Sequence, residues 1–353
     1  MAIYNGKKLN IEIYGESHSP KIGAKVSGFP VFKIDYDYLN AFLDRRRAKS
    51  GVFSTTRKES DIPIFSLEDT SFTSDSFSVE IENNNVKSGD YNNLYGKPRP
   101  SHADYSSYLK DGTLDFTGGG RFSGRLTAPY SVIGGLLKYY LESKGIFINA
   151  YISQIGTVKG KSYLDSKIAP SDFLSEEYKN FPSLSNGGKM LEEIKFASSQ
   201  GDSVGGVIEV VVSNMAKGVG DNLFGGLEGK IASLVYSVPA VKGVEFGGGF
   251  NLASSYGSKV NDCLRFVDGE VRTLTNNSGG INGGISNGEQ ITLRVAIKPT
   301  PSISVEQDTV DLVNNKNVKI VVKGRHDSCI VVRAVPCIES AVAIALYDEL
   351  VEG

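Results

Sequence analysis

The chain reads as a mixed α and β fold (α+β) in which sheet layers are covered by helices. Three observations carry that reading. The apolar period switches repeatedly between 3.6 and 2 along the sequence. The switches fall near glycine clusters at 118–120, 247–249, 279–280 and 283–284, which mark turns or close backbone approaches. No linker and no short repeat divides the 353 residues, so one domain over 1–353 is expected.

The elements follow in order. Residues 36–47 predict a helix with Tyr38, Leu39, Phe42 and Leu43 on one side and arginines at its end. Residues 128–144 predict a second, with Pro129 in the first turn, Val132, Ile133, Leu136, Leu137 and Tyr140 in period, and Gly145 as the stop. Strands are expected at 147–154 and at 207–213, the latter β-branched and bounded by Gly and Asn. A helix over about 221–236 uses Leu223, Leu227, Ile231 and Leu234. Segment 290–297 alternates, with Ile291, Leu293, Val295 and Ile297 facing one way, and 319–323 reads as another strand. A last helix runs from about Pro336 to Leu350 with Ile338, Val342 and Leu346 in period. Segments 82–97 and 158–188, rich in Asn, Ser, Lys and Asp, read as long surface loops.

Composition narrows the function. With 38 basic and 40 acidic residues the formal net charge is −2, which gives no global pull toward nucleic acid or an anionic membrane. Anion recognition must then come from local clusters of Arg and Lys. Cys263, Cys329 and Cys337 are scattered and odd in number, as reduced thiols would be, rather than a disulfide framework or a zinc site. No apolar run reaches membrane-spanning length and no signal peptide is evident, so a cytoplasmic location is expected.

The chemistry-bearing residues are few. All three histidines, His18, His102 and His326, sit in polar, turn-rich loops rather than on an apolar face. Histidine titrates near neutrality and is the default proton donor or acceptor at cellular pH. The run Asp44-Arg45-Arg46-Arg47-Ala48-Lys49 closes a helix, where cations complement the helix dipole. Three successive arginines point in different directions, however, and Arg suits bidentate contact with phosphate or carboxylate. Gly118-Gly119-Gly120-Arg121-Phe122-Ser123-Gly124-Arg125 precedes the second helix, a glycine-rich turn that exposes backbone amides to an anion. Neither Gly-x-Gly-x-x-Gly nor a Gly-Lys-Ser/Thr loop occurs, so both nucleotide signatures are missing. Lys298-Pro299-Thr300-Pro301-Ser302 puts a cation and hydroxyls at the end of the alternating strand. Gly324-Arg325-His326-Asp327 joins a cation, a titratable base and a carboxylate, and spacing alone leaves open whether Asp327 orients a histidine or acts as a base.

Together these segments resemble chorismate synthases. The likeness runs through Gly15-Glu16-Ser17-His18, Asp44 to Asp61, Arg99-Pro100-Ser101-His102-Ala103-Asp104-Tyr105, and Gly118 to Thr127. It continues through 201–206, 240–245, Gly279 to Ser286, Lys298-Pro299-Thr300, Gly324-Arg325-His326-Asp327 and Arg333-Ala334-Val335-Pro336. The resemblance implies a layered sheet–helix sandwich, assembled as a homotetramer with flavin sites near subunit contacts. It implies anti-1,4-elimination of phosphate from 5-enolpyruvylshikimate 3-phosphate to give chorismate, with reduced FMN (FMNH2) required but not consumed.

Roles transfer where motifs match. His18 resembles the proton donor near the departing phosphate, and His102 the histidine at the flavin pyrimidine edge. Asp327 resembles the carboxylate that assists loss of the substrate C6 proton, and Ser17 and Ser123 match positions in that proton traffic. The cofactor pattern maps onto Arg121, Phe122, Ser123, Ala240, Gly283, Lys298, Pro299, Thr300, Pro301, Ser302 and Arg325. Substrate anions map onto Arg46 and Arg125.

Departures exist. Ala48-Lys49 and Val52 stand where the family often has Pro-Gly and a further Arg, and Leu126 replaces a glutamate. Ser19-Pro20 follows Gly-Glu-Ser-His where the family commonly has Gly. These changes bear on substrate affinity and leave a competing reading, a non-catalytic flavin- or phosphometabolite-binding homologue. With no nucleotide fingerprint, the expected electron source is an external flavin reductase rather than NADPH bound by this chain.

Overall fold

The computed structural model describes residues 1–47, 60–66, 75–83, 94–116, 118–322 and 327–350. Within them a layer of helices lies between two five-stranded antiparallel sheets. The first sheet comprises β1 (Ala2–Asn5), β2 (Asn10–Tyr14), β3 (Lys21–Ser27), β4 (Ile64–Phe65) and β5 (Phe77–Glu82), in the order β1-β2-β3-β5-β4. The helical layer is built from α1 (Tyr36–Asp44), α3 (Thr127–Ser143), α6 (Leu227–Tyr236) and α8 (Val331–Leu350), with short α2 (Asp104–Asp111) outside it. The second sheet contains β6 (Phe147–Ile155), β7 (Val158–Lys159), β8 (Gly206–Ser213), β9 (Val241–Phe246) and β14 (Ile291–Ile297), ordered β7-β6-β8-β14-β9. Between β6 and β8 run α4 (Glu176–Asn180) and α5 (Gly187–Ser199). Short α7 (Gly257–Val260) and three hairpins, β10–β11 (Leu264–Val267, Glu270–Thr273), β12–β13 (Ile281–Asn282, Ile285–Ser286) and β15–β16 (Gln307–Asp311, Lys316–Ile320), complete the described fold.

The pattern explains the layers. Ile291, Leu293, Val295 and Ile297 of β14 all turn inward and are buried, as the alternation requires. Ile208, Val210 and Val212 of β8 and Ile148, Ala150 and Ile152 of β6 share that face and meet α8. Helix α3 packs on β3 and β5 from one side and on β6 from the other. Helix α8 is buried along nearly its whole length, which suits a helix enclosed on all sides. A Cβ on Gly134 would overlap Ser340, so the two central helices approach at a residue without a side chain.

Three boundaries differ from expectation. The last helix begins at Val331, so Pro336 lies inside it. Burial on every side holds that helix together despite the N–H that proline lacks. The helix expected over 221–236 is helical only from Leu227. Leu223 is 85% exposed with φ of 46°, and a 3₁₀ turn with Gly225 and Gly226 precedes the helix. The strand expected at 319–323 is Lys316–Ile320, paired to Gln307–Asp311.

The two segments read as surface loops are not simply that. Asn83 and Leu94 are buried, while 84–93 lie outside the described residues. In 158–188, Ile168 is buried against Tyr151 and Val211 on the outer face of the second sheet, with Tyr163, Phe173 and Tyr178 around it.

Candidate active site

The site grows from the first sheet. Between β2 and β3 the chain turns at Gly15, whose φ of +93° a side chain would strain. Ser19 closes the turn: its Oγ accepts from the Glu16 N–H at 2.9 Å and donates to the Lys21 carbonyl at 2.7 Å. That holds Ser17 and His18 outward, against the glycine-rich turn. The Ser17 N–H donates to the Gly120 carbonyl at 3.2 Å. A Cβ on Gly118 would lie 2.6 Å from His18 Nε2 and 2.9 Å from Ser17 Oγ, so the two loops interlock only because residue 118 is glycine.

The second histidine, half-buried, belongs to a triad with the buried Arg99 and Asp104. Asp104, in the first turn of α2, accepts from Arg99 Nε and Nη2, both at 2.8 Å, and stands 2.5 Å from His102 Nδ1. Burial alone would raise the Asp104 pKa; the hydrogen bonds from Arg99 and His102 and their charge outweigh it and bring it down to about 2. Arg99 also donates to the Gly118 carbonyl and, at 3.3 Å, to Ser302 Oγ. The His102 loop, the glycine-rich turn and the 298–302 segment therefore share one guanidinium. Lys298 Nζ donates to the Ser101 carbonyl, and the Lys298 N–H to the Ala240 carbonyl at 3.0 Å. Burial, and then the charge of Lys242, lowers the Lys298 pKa.

The arginine run divides its work. Arg45 binds the buried Glu339 of α8 through two hydrogen bonds, at 2.7 and 3.1 Å. Arg46 turns the other way, donating to Asp61 at 2.6 Å and to Thr127 Oγ1 at 3.0 Å. Asp61 accepts from Arg125 as well, so one buried carboxylate lies between the two arginines. Asp61 has φ of 46°, an uncommon conformation for a residue with a Cβ. Arg125 reaches on to Asn83 Oδ1 at 3.0 Å, and Asn83 Nδ2 donates to the Ser17 carbonyl at 2.8 Å. Arg333 donates to the Arg46 carbonyl at 2.9 Å and to Asp327 at 2.8 Å. A continuous path of contacts therefore runs from His102 through Arg99, Gly118, Ser17, Asn83, Arg125, Asp61, Arg46 and Arg333 to Asp327.

Of the expected residues, Ser17, Arg46, His102, Arg125 and Asp327 lie on this path. Ser123 caps the short turn before α3, its Oγ accepting from the Arg125 N–H at 3.1 Å. Others stand apart. Arg121 stacks over Phe122 and pairs with Asp111 at the surface, 2.5 Å away. Gly283 sits in the β12–β13 hairpin, which packs near the end of β8, whereas Lys298 follows the last residue of β14. The seven residues of β14 span about 20 Å at ~3.3 Å per residue, so within one chain the two positions face opposite ends of the sheet. Arg325, His326, Lys49 and Val52 lie outside the described residues.

Sequence reasoning quoted Asp61, Arg99, Asp104 and Arg333 as landmarks without assigning them work, and passed over Asn83. A buried Asp two residues from a loop histidine was the available signal for Asp104. Asn83 offered none, since its role depends on carbonyls 64–67 residues away in sequence.

The site also has unmet capacity. Ser17 Oγ and Thr300 Oγ1 are buried without a hydrogen-bond partner among the described residues. A buried hydroxyl without a partner costs on the order of 1–3 kcal/mol, which a bound polar group would recover. The residues present thus fit a polar ligand between the Ser17 loop and the 298–302 segment.

Clustered arginines beside two loop histidines and a paired aspartate define an acid–base enzyme for a small anionic substrate. The particular family is settled by likeness: the chain belongs to the chorismate synthase family, whose profile matches residues 9–351. It is 42% identical over 349 residues to the chorismate synthase of Pyrococcus abyssi, covering 98% of this chain and 96% of that one. It is 41% identical over 356 residues to the chorismate synthase of Korarchaeum cryptofilum, covering 99% and 97%. A solved structure described as "Crystal Structure of Chorismate Synthase" superimposes with a TM-score of 0.73 at 25% identity, covering 98% of this chain and 92% of that one. The chain is thereby a carbon–oxygen lyase acting on a phosphate, in a family that requires a flavin.

Proposed function

We propose that this chain converts 5-enolpyruvylshikimate 3-phosphate to chorismate by anti-1,4-elimination, with reduced FMN bound beside the Ser17 and 298–302 segments. The observation that carries the reading is the arginine cluster joined by hydrogen bonds to the Ser17–His18 loop. A substrate with two carboxylates and a phosphate needs more cationic charge than a chain of net charge −2 offers on average. Arg46 and Arg125 supply it, with their forks oriented by Asp61.

Reduced FMN, when bound, lends electron density that eases C–O cleavage and takes it back, so no net redox change results. Ala240, Lys298, Thr300, Ser302 and Ser123 would hold it, with Arg121, Phe122, Pro299, Pro301, Gly283 and Arg325 as the remaining candidates. The chain's own residues handle the protons. His18 donates to the departing phosphate. His102 holds a proton at the flavin's pyrimidine edge. Asp327, oriented by Arg333, assists removal of the C6 proton, and Ser17 extends that relay.

The reading extends to assembly. Phe224, Phe250 and Phe266 are 97%, 84% and 82% exposed on turns and a hairpin, and Gly283 lies far along the sheet from Lys298. A homotetramer, in which a neighbouring copy's hairpin completes each cofactor site, accommodates both facts. A single domain, a cytoplasmic location and an external flavin reductase complete the proposal. No helix among the described residues is long and apolar enough to cross a membrane.

The test is anaerobic conversion of 5-enolpyruvylshikimate 3-phosphate, with dithionite-reduced FMN in one cuvette and oxidised FMN plus NADPH in another. Product in the first alone is expected. Product in both would reveal a flavin reductase within this chain. Product in neither, from folded protein that binds FMN, would favour the non-catalytic homologue.

A further inference from the structure

We propose that Asp104, clamped by Arg99, is a positioning residue that fixes His102 in the tautomer with the proton on Nδ1, leaving Nε2 as the atom that exchanges protons with the bound ligand. The inference deepens the reading of His102 given above and rests on it for its catalytic meaning. Its structural half stands alone.

Two groups compete for His102 Nδ1. Asp104 Oδ1 lies at 2.5 Å and Arg99 Nη2 at 3.2 Å. An ionised carboxylate only accepts and a guanidinium only donates, so the two neighbours demand opposite protonation of Nδ1. The hydrogen-bond count of Arg99 decides between them. Nη2 carries two hydrogens, and it already meets Asp104 Oδ1 at 2.8 Å and the Gly118 carbonyl. Neither hydrogen is left for a ring nitrogen at longer range. Nδ1 therefore carries the proton and donates it to Asp104.

The clamp is built to keep that arrangement. Asp104 is buried and accepts three hydrogen bonds from Arg99 alone: from its backbone N–H at 2.9 Å and from Nε and Nη2. The remaining Arg99 contacts run to Ser302 Oγ and to the Phe116 and Gly118 carbonyls, which fix the guanidinium in place. The ring cannot rotate by half a turn about its Cβ–Cγ bond without leaving the Asp104 carboxylate buried beside Arg99 with one partner fewer.

The test begins with the unaltered protein. Solid-state ¹⁵N spectra of the full chain labelled in histidine, with H102A to assign the signal, report the tautomer directly. At pH 8 a protonated Nδ1 and a bare Nε2 are expected; a proton on Nε2 instead would overturn the proposal. The second measurement is D104N. Its kcat should fall by roughly 10- to 100-fold, part of the ~10²–10⁴-fold a positioned acid contributes, with KM for the substrate within about twofold. Losing the carboxylate also removes the acceptor of the Nδ1 proton, so the ¹⁵N spectrum of D104N should show the proton on Nε2 in part of the molecules. A fold defect alone would scale the rate without changing the tautomer, and an unchanged tautomer at unchanged kcat would overturn the proposal. Should D104N fail to fold, the wild-type tautomer still decides. Full turnover by H102A would sink the proton role of His102 while leaving the tautomer result to stand, which separates the two failures.

Discussion

The two ends of the site are built on the same device and put it to different uses. At the histidine end, Asp104 is shared between Arg99 and His102. At the arginine end, Asp61 is shared between Arg46 and Arg125, and Arg333 holds Asp327. The first group sums to zero charge while its histidine is neutral. The second sets three guanidinium groups, those of Arg46, Arg125 and Arg333, against the two carboxylates of Asp61 and Asp327. A neutral end that can gain a proton suits acid catalysis, and a cationic end suits capture of an anion. The difference teaches that each aspartate orients its cations, and that the number of cations per carboxylate sets what the end does.

The comparison can be broken most sharply at the histidine end. H18A or H102A should lose ~10²–10⁴-fold in kcat under reduced, anaerobic conditions, with the melting temperature nearly unchanged. Near-normal turnover in either would strip that histidine of its acid role. At the other end R125A should act differently, raising KM for the substrate and costing about 3–5 kcal/mol of stability, because Asp61 would keep only part of its buried compensation. A chemical denaturation curve together with KM separates those effects; an unaltered KM would argue that Arg125 serves the fold alone. D327N tests the junction, where a slower reaction and an altered deuterium isotope effect at substrate C6 are expected.

Acid stability gives a smaller signal that also distinguishes positions. Asp104 and Asp348 both sit below the ordinary carboxylate range. In Asp348, burial would raise the pKa, but the N–H groups of Leu9, Lys8 and Lys7 and the Tyr4 hydroxyl outweigh it. A folded pKa below the unfolded value means that the stabilisation is complete above about pH 4 and is lost as pH falls through the depressed value. For Asp104 that window runs from about pH 4 to about pH 2. D348N should therefore flatten the acid limb of a stability–pH curve without touching the histidine-dependent rate profile. The smallest effect belongs to T300V. The hydroxyl has no partner among the described residues, so stability should hold within about 0.5 kcal/mol while FMN binds roughly 3- to 10-fold more weakly. Equal FMN affinity in titration would place that hydroxyl outside the cofactor site.

Much of this was legible before any coordinates. The alternation of 290–297 and the period of 128–144 describe faces that the core does bury. The loop motifs carrying His18, His102 and Ser123 all adjoin the glycine-rich turn, His18 and Ser123 directly and His102 through Arg99. What was not legible depends on partners distant in sequence. The first sheet escaped notice because β1 and β2 are short and mix exposed with half-buried positions. Asn83 reads as one more polar residue in a polar segment, and only the carbonyls of the 16–19 loop make it a buried tie. Tyr163, Phe173 and Tyr178 follow no period because they cover the back of a sheet from a turn, a 3₁₀ turn and the five-residue α4. Pro336 misplaced the start of α8 because local rules put proline in a first turn, and tertiary burial overrides them.

The Asp348 contacts set a timetable for making the enzyme. The carboxylate that ties down the backbone of Lys7, Lys8 and Leu9 lies up to 341 residues further along the chain. At about 5–20 residues per second, a ribosome needs roughly 20–70 s to supply it. Until then the N-terminal strands lack that tie. The backbone of Lys7, Lys8 and Leu9, although made among the first residues, is thus among the last parts of the chain to be tied down.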